Sequence, residues 1–284
     1  MPRGIKAFAH PKFQWKGRNP VKIAVLNPQN AAVCQVSGPD DLVLVHQAEY
    51  QPGDKLVFTV DEVPAFYVIR VDGAMDEAFV YLTQHSVEYA IPFDPENPMN
   101  LVRVSYSPGS FIGKLHYITL RRARAEEVKN YRNLAKNVMD QHGAAGCYPH
   151  AHANVETRGE SLFAARNVID GVLANTCHYP WPFQSWGIGQ REDAELTLEF
   201  GRPVDMDELR LITRADFPHD SWWERATITF SDGTSEVLHM EKSAAPHVFP
   251  IQRRGITWLK LGQLIRADDP SPFPALTQVE VYGR

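Results

Sequence analysis

Several features that would assign a function directly are scarce or missing in this sequence. Only three cysteines occur among 284 residues, at positions 34, 147 and 177, without a CxxC pair. An odd, widely spaced set fits reduced thiols better than a disulfide framework. No phosphate loop, dinucleotide fingerprint, HExxH motif or nucleophile elbow is present. The common motif-based enzyme classes therefore do not account for this chain.

Charge and hydrophobicity argue against two further classes of partner. Twenty-nine basic and thirty-four acidic residues give a net charge of −5, without the basic stripe that nucleic-acid binding requires. No apolar run approaches the ~20 residues needed to span a bilayer. The first twenty residues carry basic side chains but lack the apolar stretch of a secretion signal, which predicts a cytoplasmic protein.

Short runs of β-branched and aromatic residues dominate the first part of the chain. Turns containing Pro-Gly, Asp-Gly or Pro separate them, as in antiparallel sheets. Six or more short strands at close spacing predict a β-sandwich. The predicted strands cover residues 54–60, 65–71, 78–82, 87–91, 101–106 and 114–120.

One segment has helical rather than strand periodicity. Between residues 126 and 142, Val128, Tyr131, Ala135 and Val138 recur at helical spacing, which predicts one long helix. The predicted fold class is therefore all-β, with two antiparallel β-sandwich domains of jelly-roll, galactose-binding-like type joined by one α-helix. The expected boundaries are 1–123 for the first sandwich, 124–143 for the helix and 144–284 for the second sandwich.

The chain after residue 144 returns to strand patterns. Residues 195–200 alternate strictly between apolar and polar, as a strand with one wet face does. Further strands are predicted at 209–212, 226–230, 257–265 and 279–282, and Asp232-Gly233 predicts a tight hairpin turn. No helical segment alternates with these strands, which excludes a parallel α/β sheet.

Five segments carry a family resemblance. They are ARNVIDG at 165–171, AELTLEFGRPV at 194–204, ELRLITR at 208–214, WERATITFSDG at 223–233 and QVEVYG at 278–283. In this order they resemble the discoidin, or coagulation factor 5/8 type C, family of galactose-binding-like jelly rolls, over residues 150–284. The resemblance implies rim loops that bind carbohydrate or, in some members, lipid headgroups or proteins.

The same resemblance implies a structural calcium ion, held by four residues: Asp170, Asn175, Thr176 and Glu280. Carboxylate and hydroxyl oxygens are ligands that a hard cation prefers. The alternative that Asp170 makes a turn and Glu280 lies on a solvated strand face stays open.

The loop after the predicted strand at 209–212 holds the richest set of candidate ligand contacts. Arginine offers a planar fork of donors, aspartate accepts from vicinal hydroxyls, and tryptophan supplies an apolar face. Of two adjacent tryptophans, Trp223 begins a strand and is the expected core residue. The predicted sugar contacts in this loop are Arg214, Asp216, His219, Asp220 and Trp222.

A second loop presents aromatic side chains between prolines. Pro180 and Pro182 stiffen the chain around Trp181, so that presenting this ring to a ligand costs little conformational entropy. Trp186 either contacts the ligand or plugs the end of the barrel. We expect Trp181, Trp222, Arg214 and His219 to converge on one cavity.

A His-x-His pair opens the second half of the chain. His150 and His152 could bind a transition metal if a third ligand such as His178, His219 or Asp220 completes the set. The alternative is a polar linker between domains.

These observations support two main hypotheses. The first is a carbohydrate-binding protein, with a mono- or oligosaccharide as its partner. The alternative is a carbohydrate-active enzyme, of glycoside hydrolase or lyase type, at the domain junction. It would use His219 with Asp220 or Glu224, with or without the assistance of a metal ion. A third interpretation makes the aromatic rim a contact surface between copies of the chain.

Overall fold

The computed structural model describes residues 20–93, 101–178 and 181–284. In these ranges the protein is all-β, with antiparallel strand pairs and a single short α-helix. The amino-terminal segment that supports the cytoplasmic prediction lies outside them, as do Tyr179 and Pro180. Within the described residues, no helix has the length and apolar character that crossing a membrane requires.

The amino-terminal half forms a sandwich of two sheets. Its strands are β1 (Val21–Leu26), β2 (Ala32–Gly38), β3 (Leu42–His46), β4 (Lys55–Thr59), β5 (Ala65–Arg70), β6 (Ala78–Leu82), β7 (Ser86–Ala90) and β8 (His116–Arg122). One sheet has the order β2-β1-β4-β7, and the other contains β6-β5-β8-β3. Alternate residues of these strands point into a shared core, because successive side chains of a strand face opposite sides.

One predicted strand of this half is wrong. Residues 101–106 read as a strand, but Leu101–Ser105 forms a 3-10 helix. This helix contacts a second 3-10 helix at Ser161–Phe163 in the other half of the chain. Tertiary packing against that helix overrides the local β-propensity of the segment.

The carboxy-terminal half is a larger antiparallel assembly. Its strands are β9 (Arg132–Asn133), β10 (Cys147–Tyr148), β11 (His150–Ala153), β12 (Trp186–Gly187), β13 (Leu196–Thr213), β14 (Trp223–Phe230), β15 (Ser235–His239), β16 (His247–Phe249), β17 (Arg253–Arg266) and β18 (Ala275–Gly283). The strand order is β12-β18-β13-β17-β14-β15, with β11 and β16 also pairing with β13. β10 instead joins β6 of the amino-terminal sandwich.

The long strand β13 connects the two faces of this assembly. Its first part pairs with β11 and β17, and its second part pairs with β18 and β16. The bend lies at Gly201, which has φ +67°. A Cβ at this position would lie 2.2 Å from the ring of Tyr148, so both conformation and space require glycine. The GRPV segment thus forms the corner of the jelly roll.

The predicted helix over residues 126–142 is wrong except for its first turn. The α-helix α1 covers only Ala125–Lys129, and Arg132–Asn133 then pairs with β18. Leu134 packs in the carboxy-terminal core, whereas Val138 packs in the amino-terminal core. The apolar residues therefore serve two separate cores, which a single helical face could not do.

The two halves meet along a seam lined by side chains from both. Cys147 belongs to the amino-terminal core although its neighbours in sequence belong to the other half. Arg166 Nη2 donates a hydrogen bond to Ser105 Oγ at 2.5 Å across the seam. The segment between the two sandwiches therefore contributes side chains to both cores. The domain boundaries expected at 123/124 and 143/144 stay predictions.

Candidate functional site

Four loops meet at one end of the carboxy-terminal sandwich. They comprise residues 156–163, 175–178 with 181–190, 214–222 and 267–274. Arg214 N donates to Ala275 O at 3.0 Å, and Ala215 N donates to Asn175 O at 2.8 Å. Ser271 Oγ donates to Pro218 O at 2.5 Å. These hydrogen bonds fix the loop after β13 between its neighbours, so its side chains have defined positions.

A buried ion pair forms the base of this site. Arg214 Nε lies 2.8 Å from Asp216 Oδ1, and Nη2 lies 2.5 Å from Oδ2. Both side chains are almost fully buried. A bidentate pair of this kind is the strongest geometry available to arginine and aspartate. The pair therefore neutralises itself and leaves no free charge for a ligand.

Two histidines stack above this pair. The rings of His178 and His219 lie 4.8 Å apart at 15°. Nδ1 of His178 is 3.1 Å from Asp216 Oδ2, and Nδ1 of His219 is 3.8 Å from the same atom. Burial, followed by the nearby positive charge of Arg214, lowers the pKa of His219 to about 4. His219 is therefore neutral at pH 7, and its imidazole can both donate and accept hydrogen bonds.

A cavity of about 320 Å³ opens beside His219, near the lower end of the range for small-molecule sites. We call it the rim cavity. Its main side chains are Thr157, Arg158, Phe163, Gln190, His219 and Phe273. The ring of His219 lies 6.4 Å from that of Phe163 and 5.7 Å from that of Phe273. The imidazole thus lies close to two aromatic rings that also line the cavity.

The polar groups around the rim cavity are themselves held in place. Arg158 forms a bidentate pair with Glu160, at 2.5 and 2.8 Å, and its charge is therefore balanced. Gly189 N donates to Thr157 Oγ1 at 2.8 Å. A Cβ on Gly187 would lie 2.7 Å from Thr157 Oγ1, so glycine keeps the floor of the cavity open.

The described residues contain one group of three converging metal-type ligands, which is His178, Asp216 and His219. Arg214 Nη2 already lies 3.0 Å from His178 Nδ1 and contacts Asp216. Nearly parallel rings also direct their nitrogen lone pairs along parallel planes rather than towards one tetrahedral ion. His178 and Asp216 thus form a hydrogen-bonded network around Arg214, with His219 stacked on His178, and this arrangement does not match a metal centre.

The structure separates the two candidate tryptophans of the proline-rich loop. Trp186 is fully buried and donates a hydrogen bond from Nε1 to Val155 O at 2.8 Å. The prediction that Trp186 contacts a ligand is therefore wrong, and Trp186 is a core residue. Trp181 lines a different cavity of about 250 Å³ at the seam, with Arg166 and Asp170. The predicted convergence of Trp181 with Arg214 and His219 is therefore also wrong.

The other residues of the predicted sugar-binding loop have different outcomes. His219 lines the rim cavity, whereas Arg214 and Asp216 lie beneath it. Asp220 pairs with Lys242 Nζ at 3.0 Å, and this ammonium lies 5.8 Å from the ring centroid of Trp222. Neither Asp220 nor Trp222 lines the rim cavity.

The acid–base arrangement of the enzyme hypothesis does not form around the rim cavity. Of the three residues it named, His219 lines the cavity, Asp220 pairs with lysine, and Glu224 is exposed on β14. Trp223, expected in the core, is buried there.

The four residues of the predicted calcium site have separate partners. Asp170 accepts hydrogen bonds from Gln184 Nε2 at 2.9 Å and Gln278 Nε2 at 2.7 Å, and burial raises its pKa to about 6. Asn175 Nδ2 donates to two backbone carbonyls. Thr176 is exposed, and Glu280 lies 3.8 Å from Arg210. Calcium binding stays a prediction.

The predicted transition-metal pair also has a different role. His150 Nδ1 lies 2.7 Å from Asp140 Oδ1, and His152 is exposed. Although burial acts to lower the pKa of His150, the hydrogen bond and charge of Asp140 raise it. Within the described ranges, no group of three converging ligands includes His150 or His152. The metal site predicted there is therefore not assembled.

Several residues of the rim cavity were not predicted from the sequence. Phe163 and Phe273 form its aromatic walls, and Thr157 and Gln190 are among its polar groups. Phe273 lies between Pro272 and Pro274 in the sequence. The same pattern of flanking prolines predicted a stiffened aromatic loop around Trp181. No comparable signal marks Phe163, which reaches the site through the turn of a short 3-10 helix.

No family model matches this chain, and no curated protein matches it. Among solved structures, chitosan-binding module 1 from the chitosanase/glucanase of Paenibacillus sp. IK-5 is 16% identical. The match covers 54% of this chain and 100% of the module, with a TM-score of 0.38. The family 32 carbohydrate-binding module of Clostridium perfringens NanJ, in complex with galactose, is 14% identical over 46% of this chain and 91% of the module, with a TM-score of 0.36.

The lectin domain of lectinolysin, complexed with Lewis b antigen, is 13% identical over 54% of this chain and 96% of that domain, with a TM-score of 0.38. These matched domains are a chitosan-binding module, a family 32 carbohydrate-binding module and a lectin domain. At such identities and TM-scores the similarity identifies no ligand of this chain. The finer resemblance to the discoidin family stays a prediction.

Proposed function

We propose that this protein binds a carbohydrate, with one neutral sugar ring in the rim cavity. The observation that carries the proposal is that His219 lines one cavity together with the nearby rings of Phe163 and Phe273. Aromatic rings supply apolar faces against which the C–H groups of a pyranose can pack. A neutral imidazole can donate to or accept from a sugar hydroxyl.

The charge balance of the cavity favours a neutral ligand. Arg158 is paired with Glu160, and the Arg214 guanidinium is paired with Asp216 below the cavity. His219 is uncharged at pH 7 because burial lowers its pKa. The cavity would then offer a bound ligand hydrogen-bonding groups without an unbalanced charge, which suits a polyhydroxylated ring.

Calorimetric titration with a panel of neutral and acidic sugars, beginning with galactose, tests this proposal. We expect saturable binding of at least one neutral sugar. Phe273→Ala removes one aromatic wall and should weaken binding roughly tenfold, about 1.4 kcal/mol. Phe217→Ala is the matched control, because Phe217 is 76% exposed on a neighbouring loop and does not line the cavity. Equal losses in both variants, or no binding of any sugar, would count against the proposal.

A further inference from the structure

A second cavity lies in the seam between the two halves of the chain, with a volume of about 220 Å³. We call it the seam cavity. Its principal side chains are Phe66, Phe79, Tyr81, Arg132, Tyr148 and Arg202. The three aromatic residues Phe66, Phe79 and Tyr81 belong to β5 and β6, and the arginines come from the carboxy-terminal half. The cavity therefore combines an aromatic sheet face with two guanidinium groups.

The two arginines approach the same aromatic ring. The guanidinium carbon of Arg132 lies 5.4 Å from the ring centroid of Phe66, and that of Arg202 lies 4.9 Å from it. Arg132 also lies 4.4 Å from the ring centroid of Phe79. Cation–π contacts hold these groups in place. They do not neutralise the positive charge.

Neither guanidinium has a carboxylate partner among the residues that the structure describes. Arg132 donates from Nη1 to the carbonyls of Glu127, Val128 and Asn130, and Arg202 donates from Nη1 to the carbonyl of Pro203. Nε and Nη2 of both arginines donate to no described group. Each arginine thus retains donors for a ligand.

The remaining charged side chains of the seam cavity are already paired. Lys136 Nζ lies 2.8 Å from Asp76 Oδ2, and Glu77 lies 3.6 Å from Arg70 Nη2. Burial and the charge of Arg202 lower the pKa of Arg132 to about 10, so Arg132 is still cationic at neutral pH. The cavity therefore carries an excess of positive charge from two half-buried arginines, which is costly unless an anion compensates it.

We infer that the seam cavity binds an oxyanion, a carboxylate or sulfate group, through Arg132 and Arg202. The planar fork of arginine matches the paired oxygens of these groups. The aromatic side chains around it suit an apolar body attached to the anion, such as the ring of an acidic sugar. This site is separate from the rim cavity and does not depend on the function proposed for it.

Thermal unfolding of the whole chain, titrated with sodium sulfate, tests the inference. Sodium chloride at matched ionic strength corrects for screening. Sulfate should raise the unfolding midpoint saturably above the chloride series, because a ligand that binds only the folded state stabilises it. Arg202→Gln should raise the half-saturating sulfate concentration at least roughly tenfold. Arg202→Lys, which retains the charge without the fork, should give an intermediate value.

Arg225→Gln is the matched control, because Arg225 is exposed on β14 and forms no ion pair among the described residues. It should keep the wild-type response, and so should His219→Ala. A second series compares glucuronate with glucose. Stabilisation by glucuronate as well as sulfate supports an acidic sugar, and stabilisation by sulfate alone supports a free inorganic oxyanion. An identical sulfate response in Arg202→Gln and Arg225→Gln, or no saturable response in the wild type, overturns the inference.

Discussion

Arg214 and Asp216 form a buried, bidentate ion pair although they are only two residues apart in sequence. The pair lies directly beneath the two stacked histidines, and the backbone N–H of His219 donates to the carbonyl of Asp216 at 2.6 Å. The position of His219 at the cavity wall therefore depends on the ion pair below it. Arginine and aspartate act here as supports rather than as ligand contacts.

Asp216→Asn should destabilise the protein strongly, because it leaves the buried guanidinium of Arg214 without a compensating charge. Loss of one partner of a buried pair costs about 3–5 kcal/mol. Chemical denaturation measures the change. Asp193→Asn is a matched control, since Arg191 and Asp193 have the same two-residue spacing and bidentate geometry at an exposed site. Comparable effects of the two substitutions would contradict the supporting role of the buried pair.

Protonation of His219 should make the protein less stable at acidic pH. Its pKa is lowered from 6.5 to about 4 in the folded state, so the unfolded chain binds this proton more readily. The free energy of unfolding is then highest above pH 6.5 and falls as the pH decreases towards 4. We expect a loss of about 2 kcal/mol, after a discount for solvent screening.

His219→Gln removes the titrating group, so it should reduce the slope of unfolding free energy against pH between 6.5 and 4. Urea denaturation of both proteins across this range makes the comparison. Parallel pH profiles would show that His219 has no lowered pKa in the folded protein.

Gly201→Ala should destabilise the corner of β13 for two reasons. The residue has φ +67°, and a new Cβ would meet the ring of Tyr148. Gly255→Ala isolates the first effect, because Gly255 has φ +66° with no atom within 4 Å of its Cβ position. We expect about 1 kcal/mol for Gly255→Ala and about 2 kcal/mol more for Gly201→Ala. Equal unfolding free energies would show that Tyr148 does not crowd the corner.

Trp186 and Trp181 should respond differently to replacement by phenylalanine. Trp186→Phe leaves space in the core and removes the hydrogen bond to Val155, with an expected cost of about 2 kcal/mol. Trp181→Phe should cost less, because Nε1 of Trp181 is buried without a hydrogen-bond partner in the described structure. Denaturation curves that rank Trp181→Phe as the more damaging change would contradict this assignment.

Local sequence pattern predicted those parts of the fold that depend on local periodicity. The alternating run at 195–200 lies in β13 from residue 196 onward, and the Asp232-Gly233 turn joins β14 to β15. The prediction of a helix at 126–142 was wrong, because Leu134 and Val138 pack into different cores. A periodic pattern records which residues are apolar, but it does not record which core each of them enters.

The candidate site was predictable only where its residues share one loop. Arg214, Asp216 and His219 lie within six positions, so their proximity follows from the sequence. Phe163 and Phe273 meet His219 through tertiary packing over long sequence separations. Trp181 lies between two prolines in the sequence, as Phe273 does, but Trp181 lines the cavity at the seam. The direction in which a loop side chain points depends on contacts that the pattern does not contain.

Binding of a sugar beside His219 is tested most directly by two-dimensional NMR of the labelled protein titrated with the best neutral sugar from the calorimetric panel. We expect saturable shifts of the Gly187 and Gly189 amides and of the His219 imidazole, which border the rim cavity. Shifts confined to residues of the seam cavity, or the absence of any saturable shift at these three residues, would contradict a sugar site at the rim.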